Sequence, residues 1–419
     1  MQVHQSKPHR PEPWAILAVV LAAAFIAYAT LRPAGGAAGT FCVRCGDSWL
    51  GDALLNVVLF VPLGLALRAT GISTARTMLL SAASSVMIEV LQYTVVTGRF
   101  SSVLDVITNS LGGLVGAVGF GIMVRWVAGD VRQPAVAGAF AAAWWVQCLV
   151  TAWGLLPWLP TGPGFEGQWA HVMPGFVPFE GLVLDVRLWS IPIPDGPVPD
   201  SAAIRSVMAD SMLEFAVRTA GLPRAEPVAL VAGLANGPTH RVASISLAGC
   251  RLQARGGTNS ERIGFNTPRI AVENACVDTP GEVSIVVRQD GREFSVSREA
   301  HASAGVRSAL ALRPDIGWVM LAPLITSARK RHLLTLAWIA LFAVPVGLFG
   351  RRGEREHGRT VAIFAVVMVA GTIVPAVIFH TAFPTTAELL VLVGSLVAGA
   401  TVASAIPRWP RRATLHLQE

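Results

Sequence analysis

Six polar side chains lie within or beside apolar segments between residues 56 and 109, and their types suit binding or proton transfer. They are Asn56, Glu89, Gln92, Arg99, Asp105 and Asn109. A carboxylate at the centre of a bilayer costs roughly 2.5–3.5 kcal/mol, so such residues are functional-site candidates by default. Glu89 could serve as a general base or proton carrier. Arg99 could hold a phosphate or carboxylate through its planar guanidinium, with Asp105 orienting Arg99 or a water.

The spacing of these residues predicts that they meet. Glu89 and Gln92 are three residues apart and share a helix face, as do Asp105 and Asn109, which are four apart. Asn56 stands near the start of the preceding apolar span. In the orientation argued below, these helix ends all lie towards the outer leaflet. We therefore expect a polar site at one depth in the membrane.

A packing role is the alternative for the same residues. Arg99 would then neutralise Asp105 or Glu89, and the amides would hydrogen-bond across helices. Gly112 and Gly116 would let two helices approach closely. Polar contacts in membranes average only about 0.6 kcal/mol, and six polar groups at one depth exceed what packing requires. The pattern favours a functional site.

Glu89 and Asp105 could offer oxygen ligands to a hard cation, but the neighbouring arginine disfavours a cation there, so we predict neither a metal nor a cofactor.

The composition is that of an integral membrane protein. Hydrophobic residues make up 53% of the chain and charged residues 14%, with a mean hydropathy of +0.55. The net charge of +7 does not indicate nucleic-acid binding, because the basic residues stand at the ends of apolar runs rather than among aromatics. Eight runs reach spanning length: Trp14–Leu31, Ala53–Ala69, Thr77–Val96, Val103–Val127, Ala135–Leu156, Leu333–Phe349, Val361–His380 and Ala387–Ala405. We expect the first to be a retained helix rather than a signal peptide, since its apolar stretch is long.

The basic residues also predict the orientation. With the N-terminus in the cytoplasm, the inner ends carry Lys7, Arg10, Arg68, Arg76, Arg125, Arg132, Arg351, Arg352, Arg355, Arg359, Arg408, Arg411 and Arg412. The short outer loops carry Arg32, Arg44 and Arg99. This asymmetry places both termini in the cytoplasm. Arg329, Lys330 and Arg331 would lie on the outer side of the membrane. They end a long translocated segment, and the positive-inside rule applies only weakly to long loops.

A segment of different character separates the fifth and sixth spans. We predict a membrane domain over residues 1–156, an extracytoplasmic all-β domain over 157–328 and a second membrane domain over 329–419. Short alternating runs predict strands at Gly181–Trp189, Leu213–Arg218, Arg241–Leu247 and Val283–Arg288. The turn sequence Gln289–Arg292 predicts a hairpin after the last of these. The regular spacing favours a two-sheet sandwich.

Cysteines and aromatic residues add further expectations. Cys250 and Cys276 fall in the β domain and could form a disulfide. Cys42 and Cys45 form a Cys-x-x-Cys pair, for which a loop disulfide or an incidental pair is expected rather than half a zinc site. Cys148 lies in an apolar span and is expected to pack against other side chains there. Candidate sugar contacts in the β domain are Trp169, Trp189, Phe265 and Arg255, although we favour core packing for the aromatics.

Two resemblances carry the functional prediction. Residues 14–127 resemble the VanZ-like family, named for a membrane protein associated with teicoplanin resistance. The motif residues are Asn56, Phe60, Pro62, Gly64, Ile88, Glu89, Gln92, Arg99, Asp105, Asn109 and Gly112, with Gly116 beyond. Ser101 and Ser102 stand where that family often carries an acid, which weakens a two-carboxylate mechanism at the start of the fourth span. The β domain resembles a concanavalin-like, laminin-G-type jelly roll.

These resemblances imply a protein of the bacterial cytoplasmic membrane that acts on the cell envelope. We predict that the polar site binds or processes a lipid- or glycan-linked envelope component, such as a cell-wall precursor, and affects glycopeptide susceptibility. The alternative is a non-enzymatic membrane-anchored scaffold that binds glycans through its β domain. The expected partners are membrane lipids and an envelope glycan, and the sequence leaves open whether the protein is an enzyme.

Overall fold

The computed structural model describes most of the chain: residues 12–33, 40–127, 133–158, 161–162, 164–172, 176–209, 212–237, 240–300, 303–322, 327–350 and 357–405. Many of the basic residues that predict orientation, among them Lys7, Arg132, Arg351 and Arg411, lie outside these ranges. The chain divides into two compact units, residues 1–133 with 404–419, and residues 134–403.

The first unit contains four long helices and a small parallel sheet. The helices are α1 (Pro13–Leu31), α2 (Trp49–Ala69), α3 (Thr74–Thr94) and α4 (Val103–Val127). The strands β1 (Thr40–Cys42) and β2 (Phe100–Ser102) pair with each other between the helices. Apolar side chains from α1, α2 and α3 form a buried core around Ile26, Phe60, Leu63 and Ile88. Many other apolar side chains on these helices are exposed, as a membrane requires.

Helices α2 and α4 approach each other through glycines. A Cβ added at Gly112 would overlap the carbonyl of Val57, and one added at Gly116 would overlap the carbonyl of Val61. A Cβ added at Gly64 would overlap the carbonyl of Gly113 in the same way. Small residues allow this backbone contact in a membrane helix pair, where packing rather than the hydrophobic effect holds helices together.

The second unit combines four long helices with all of the larger sheets. The long helices are α5 (Gln133–Gly154), α7 (Ala328–Phe349), α8 (His357–Ile378) and α9 (Thr386–Ala405), and a short helix α6 spans Ser201–Met208. Trp144 and Cys148 of α5 are fully buried against apolar residues of α7, α8 and α9. Cys148 therefore packs in the helix core.

Twelve strands of the described chain form two six-stranded antiparallel sheets. They are β3 (Glu166–Trp169), β4 (Leu182–Leu188), β5 (Ile191–Pro192), β6 (Gly196–Pro197), β7 (Leu213–Leu222), β8 (Ala225–Asn236), β9 (His240–Gly249), β10 (Arg251–Gly256), β11 (Arg269–Val272), β12 (Val277–Gln289), β13 (Glu293–Ala300) and β14 (Ser303–Ala311). The first sheet has the order β11-β10-β9-β8-β3-β6, and the second has β14-β13-β12-β7-β4-β5. Alternate residues of both sheets, such as Ile245 and Val217, are fully buried. The two sheets form a β-sandwich.

The sandwich is fixed to the helices of its own unit by polar contacts. Gln289 Nε2 donates to the carbonyl of Leu155, 3.1 Å away, just beyond α5. Arg313, which follows β14, forms ion pairs with Asp315 (3.3 Å) and with Glu388 in the first turn of α9. The Asp315 and Glu388 side chains are only 1% and 2% exposed. The sandwich is thus joined to both α5 and α9 by buried polar groups.

The predicted fold class is confirmed. Within the described residues, eight helices are long and apolar enough to cross a membrane, and the β region is separate. The main boundary difference is that α2 begins at Trp49 rather than Ala53, because Asp52 is accommodated in the first turn, where a helix favours an acid. The predicted strands correspond to β4, β7, β9 and β12, and the predicted hairpin joins β12 to β13. The predicted three-domain boundaries stay a prediction, and the division into units groups α5 with the sandwich.

Candidate functional site

The polar residues of the first unit lie at helix ends that meet on one side of that unit. α2 and α4 begin there, α1 and α3 end there, and the β1–β2 pair lies between them. The connection from α3 to α4 is short and contains β2, so it holds the two ends together. Asn56, Glu89, Gln92, Asp105 and Asn109 all lie within two or three turns of these ends.

Glu89 is held in a fixed orientation by the start of α4. The residue is 9% exposed, and its Oε2 accepts a hydrogen bond from the backbone N–H of Ser102 at 2.7 Å. Ser101 Oγ donates to the backbone carbonyl of Glu89, also at 2.7 Å. Within the described part of the chain, Oε1 of Glu89 has no hydrogen-bond partner. One carboxylate oxygen is therefore oriented by the backbone, and the other is left for a ligand or a proton.

Asp105 connects Glu89 to the beginning of α2. The Asn56 side chain hydrogen-bonds to the Asp105 carboxylate, and the charge of Asp105 interacts with those of Asp52 and Glu89. Asp52 in turn accepts a hydrogen bond from Ser48 Oγ at 3.1 Å. Three carboxylates from three helices are thus close enough for their charges to interact.

The two remaining amides each keep one acceptor oxygen without a partner. Asn109 Nδ2 donates to Ser85 Oγ at 2.9 Å, and Gln92 Nε2 donates to the carbonyl of Thr30 at 2.9 Å. Asn109 Oδ1 and Gln92 Oε1 are buried and have no hydrogen-bond partner among the residues described. Buried acceptors without a donor are uncommon in folded proteins. Both are suited to receive donors from a ligand or water.

Arg99 does not neutralise the acids. Its Nη2 donates to the carbonyl of Ala29 at 3.1 Å and its Nε to the carbonyl of Arg32 at 3.3 Å. A cation at the C-terminal end of a helix is favourable, so Arg99 stabilises the end of α1. No ion pair joins Arg99 to Asp105 or Glu89 in the described chain, so the charge neutralisation expected in the packing alternative is wrong. The amide contacts of that alternative are present, since Asn109 and Gln92 each hydrogen-bond to another helix.

A covalently closed loop lies over this end of the unit. Cys42 and Cys45 form a disulfide, and β1 pairs Cys42 with Ser102. The Val43 carbonyl accepts from the backbone N–H of Leu104 at 3.2 Å. The loop therefore contacts the same short segment that orients Glu89.

Sequence reasoning missed three contributors to the site: Asp52, Ser85 and Ser102. Asp52 is four residues before Asn56, so the two share a helix face, but it lay just outside the predicted span. Ser102 acts through its backbone N–H, which no side-chain pattern reveals. In the described residues, no group of three or more His, Cys, Asp or Glu side chains is arranged to hold a metal ion.

The candidate sugar contacts of the sandwich do not lie together on one element. Trp169 belongs to β3 in the first sheet, and its Nε1 donates to the carbonyl of Ile193 at 3.1 Å. Trp189 follows β4 in the second sheet. Phe265 is 9% exposed, and Arg255 forms an ion pair with Glu261 at 2.7 Å. Cys250 and Cys276 form a disulfide with a Cα–Cα distance of 4.9 Å.

Comparison with known proteins gives a family match in the first unit. Residues 14–124 match the family described as VanZ/LLP1, which covers α1 to α4 and all six predicted site residues. No curated protein and no solved structure matches the chain, so the jelly-roll and laminin-G likeness of the sandwich stays a prediction. The chain has the helices of a multi-pass membrane protein, and its first four helices are similar to the VanZ/LLP1 family.

Proposed function

We propose that the VanZ-like domain binds or processes a lipid- or glycan-linked component of the bacterial cell envelope at the cluster formed by Asp52, Asn56, Glu89 and Asp105. The observation that carries this proposal is the Glu89 carboxylate. One of its oxygens is fixed by the Ser102 N–H, and the other has no partner among the described residues. An oriented base with one open oxygen is the geometry that proton abstraction requires.

The surroundings favour a ligand that donates hydrogen bonds. Asp52, Glu89 and Asp105 are acceptors, and the orphaned oxygens of Gln92 and Asn109 add two more. Sugar hydroxyls, amines and amides are donors of this kind. Arg99 uses Nε and Nη2 on α1, and its Nη1 could contact a phosphate or carboxylate of the same ligand.

We place this site and the sandwich on the extracytoplasmic side, with both termini in the cytoplasm. The disulfide Cys42–Cys45 lies at the cluster end of the first unit, and Cys250–Cys276 lies in the sandwich. Disulfides persist in oxidising compartments, which supports this orientation. An envelope component and a glycopeptide such as teicoplanin meet the protein on that side.

The functional test is teicoplanin susceptibility of cells that express Glu89→Gln at wild-type membrane abundance. We expect Glu89→Gln to abolish any change in susceptibility that the wild-type protein confers, because glutamine keeps the Ser102 hydrogen bond but cannot accept a proton. Asp47→Asn is the matched control, since Asp47 is an exposed acid at the same end of the unit. An unchanged phenotype in Glu89→Gln would overturn the proposal.

The orientation has its own test. Glu180 is exposed in the sandwich and Arg359 is exposed near the start of α8. A membrane-impermeant maleimide should label Glu180→Cys in intact cells and Arg359→Cys only after permeabilisation. The reverse pattern would exclude the proposed orientation.

A further inference from the structure

The loop that is closed by Cys42 and Cys45 packs on the segment that orients Glu89. Both Sγ atoms of the disulfide lie 3.7 Å from the carbonyl oxygen of Ser101, and β1 pairs Cys42 with Ser102. Ser101 Oγ and the backbone N–H of Ser102 are the groups that donate to Glu89. A single layer of contacts therefore separates the disulfide from the Glu89 carboxylate.

The other attachments of this loop are weak. The β1–β2 pair is parallel and three residues long, and an isolated pair of strands is marginally stable at best. The Val43 carbonyl accepts from the backbone N–H of Leu104 at 3.2 Å and from Ser102 Oγ at 3.4 Å. Val43 lies inside the loop that the disulfide closes, so both hydrogen bonds depend on its curled conformation. We expect the loop to lose its fixed position when the disulfide is opened.

The disulfide stands where a thiol from another molecule can reach it. Cys42 and Cys45 are half-buried, and Val43 and Arg44 between them are exposed. Arg44 is adjacent to Cys45 in the sequence and forms no ion pair with a residue that the structure describes. A neighbouring arginine and the Cys-x-x-Cys spacing both stabilise a thiolate. Since a stable thiolate leaves faster, this bond should open readily in exchange with a thiol.

The second disulfide has different surroundings. Cys250 and Cys276 are 26 residues apart, and they join the chain just before β10 to the chain just before β12. The backbone N–H of Ala275 donates to the carbonyl of Cys250 at 2.8 Å, so the two segments are also held by the backbone. Arg251, which follows Cys250, is ion-paired with Glu273 at 2.8 Å. This disulfide closes a longer loop, which favours a structural role, and it provides an internal reference.

We propose that the Cys42–Cys45 disulfide is an exchange site for the dithiol of an oxidoreductase, and that its reduction releases the Ser102 N–H from Glu89. A thiolate of the partner attacks one sulfur and displaces the other as a thiolate, and the partner's second thiolate then attacks the mixed disulfide. The partner dithiol is oxidised to a disulfide, and Cys42 and Cys45 take up its two electrons and two protons as thiols. The exchange is independent of the function proposed for the VanZ-like domain, whereas its effect on that function rests on it.

The first test compares the two disulfides in the full-length protein in detergent. The protein is equilibrated with graded ratios of reduced to oxidised dithiothreitol, free thiols are alkylated, and mass spectrometry assigns the alkylated cysteines. We expect Cys42 and Cys45 to be reduced at a ratio at least about tenfold lower than Cys250 and Cys276 require. Reduction of both disulfides at the same ratio, or of Cys250–Cys276 first, would overturn the exchange site.

The second test measures the effect of reduction on the Glu89 contact by amide hydrogen exchange resolved to single residues. Opening the Cys42–Cys45 disulfide should accelerate exchange at Ser102 at least about tenfold, because its N–H loses a buried acceptor. The variant Cys42→Ser with Cys45→Ser should exchange equally fast without reductant. The amides of β9 are the internal control and should not change. Unchanged exchange at Ser102 in the reduced protein, or equal acceleration in β9, would overturn the coupling.

Teicoplanin susceptibility separates this inference from the proposed function. Cells that express Cys42→Ser with Cys45→Ser at wild-type abundance should lose the change in susceptibility, as cells with Glu89→Gln should. If the double variant keeps the wild-type phenotype while Glu89→Gln loses it, the coupling is wrong and the proposed function stands. If Glu89→Gln keeps the phenotype, the proposed function is wrong, and the alkylation and amide measurements decide the inference without it.

Discussion

Each of the two units has a cluster of acidic side chains, but the two clusters differ in how the charge is compensated. In the second unit, Asp315 and Glu388 share the guanidinium of Arg313. In the first unit, Glu89 is buried, Asp105 is half-buried and Asp52 is exposed. None of the three has an ion-paired cation among the described residues, and the nearby Arg99 donates to backbone carbonyls instead. Buried charges that serve structure are normally paired. The contrast indicates that the Arg313 cluster of the second unit holds elements together, and it supports the proposal that the Glu89 cluster of the first unit binds a ligand.

The largest effect on stability should come from removing Arg313, the cation that is paired with Asp315 and Glu388. Arg313→Met leaves Asp315 and Glu388 buried without a counter-charge, which destabilises proteins by about 3–5 kcal/mol. We expect a marked fall in the melting temperature of the full-length protein in detergent. Arg288→Met is the control, because the exposed pair with Glu214 contributes about 0–1 kcal/mol. Equal melting of the two variants would show that Arg313 does not stabilise the fold and that the two clusters do not differ in this way.

A smaller effect should appear in the pH dependence of stability. Burial, together with the charge of Glu388, raises the pKa of Asp315 from 3.8 to about 7, against the opposing charge of Arg313. The folded protein therefore holds a proton that the unfolded chain releases, so stability is full below about pH 4 and falls as the pH rises to about 7.

Asp315→Asn should remove this dependence, because asparagine does not titrate. Melting temperatures measured across that window should decline with pH in the wild type and in Asp47→Asn, but much less in Asp315→Asn. A loss of 1 kcal/mol corresponds to about 2–4 °C in domains of this size. Parallel curves for wild type and Asp315→Asn would rule out the assignment of the titration to this residue.

The smallest effect on stability should come from a substitution at Glu89, which has no ion-paired cation among the described residues. Glu89→Gln keeps an acceptor for the Ser102 N–H and removes a buried charge, so its stability should stay within about 1 kcal/mol of the wild type. Thermal melting checks this directly. A large loss of stability in Glu89→Gln would mean that Glu89 has a structural role, as Arg313 does, and would count against a binding site.

The helices and the location of the site were accessible from sequence for clear physical reasons. Apolar runs of spanning length can form only helices or barrels in lipid, so the eight spans follow from composition. The i, i+3 and i, i+4 spacings of Glu89, Gln92, Asp105 and Asn109 give shared faces without any knowledge of packing. The β12–β13 hairpin follows from its turn, where Asp290 Oδ1 accepts from the backbone N–H groups of Arg292 and Glu293, each at 2.7 Å.

Other features depend on tertiary contacts that a sequence pattern does not encode. Arg99 was expected beside the acids because opposite charges attract, but the end of α1 offers it carbonyl acceptors instead. The ion pair between Arg313 and Glu388 joins residues that are far apart in sequence, one just after β14 and the other on α9. The cross-strand pair of Arg255 and Arg269 requires strand register, which alternation alone does not specify.

The contacts of Gln289 with Leu155 and of Arg313 with Glu388 determine which fragment of the chain can be excised with the sandwich intact. A fragment cut at residues 157 and 328 would expose surfaces that α5 and α9 normally cover, and it would leave Arg313 and Asp315 without Glu388. The fragment expected to fold by itself is residues 134–403, which keeps the sandwich together with α5, α7, α8 and α9. Gene fusion or grafting of the sandwich should succeed with that piece and fail with the bare β domain.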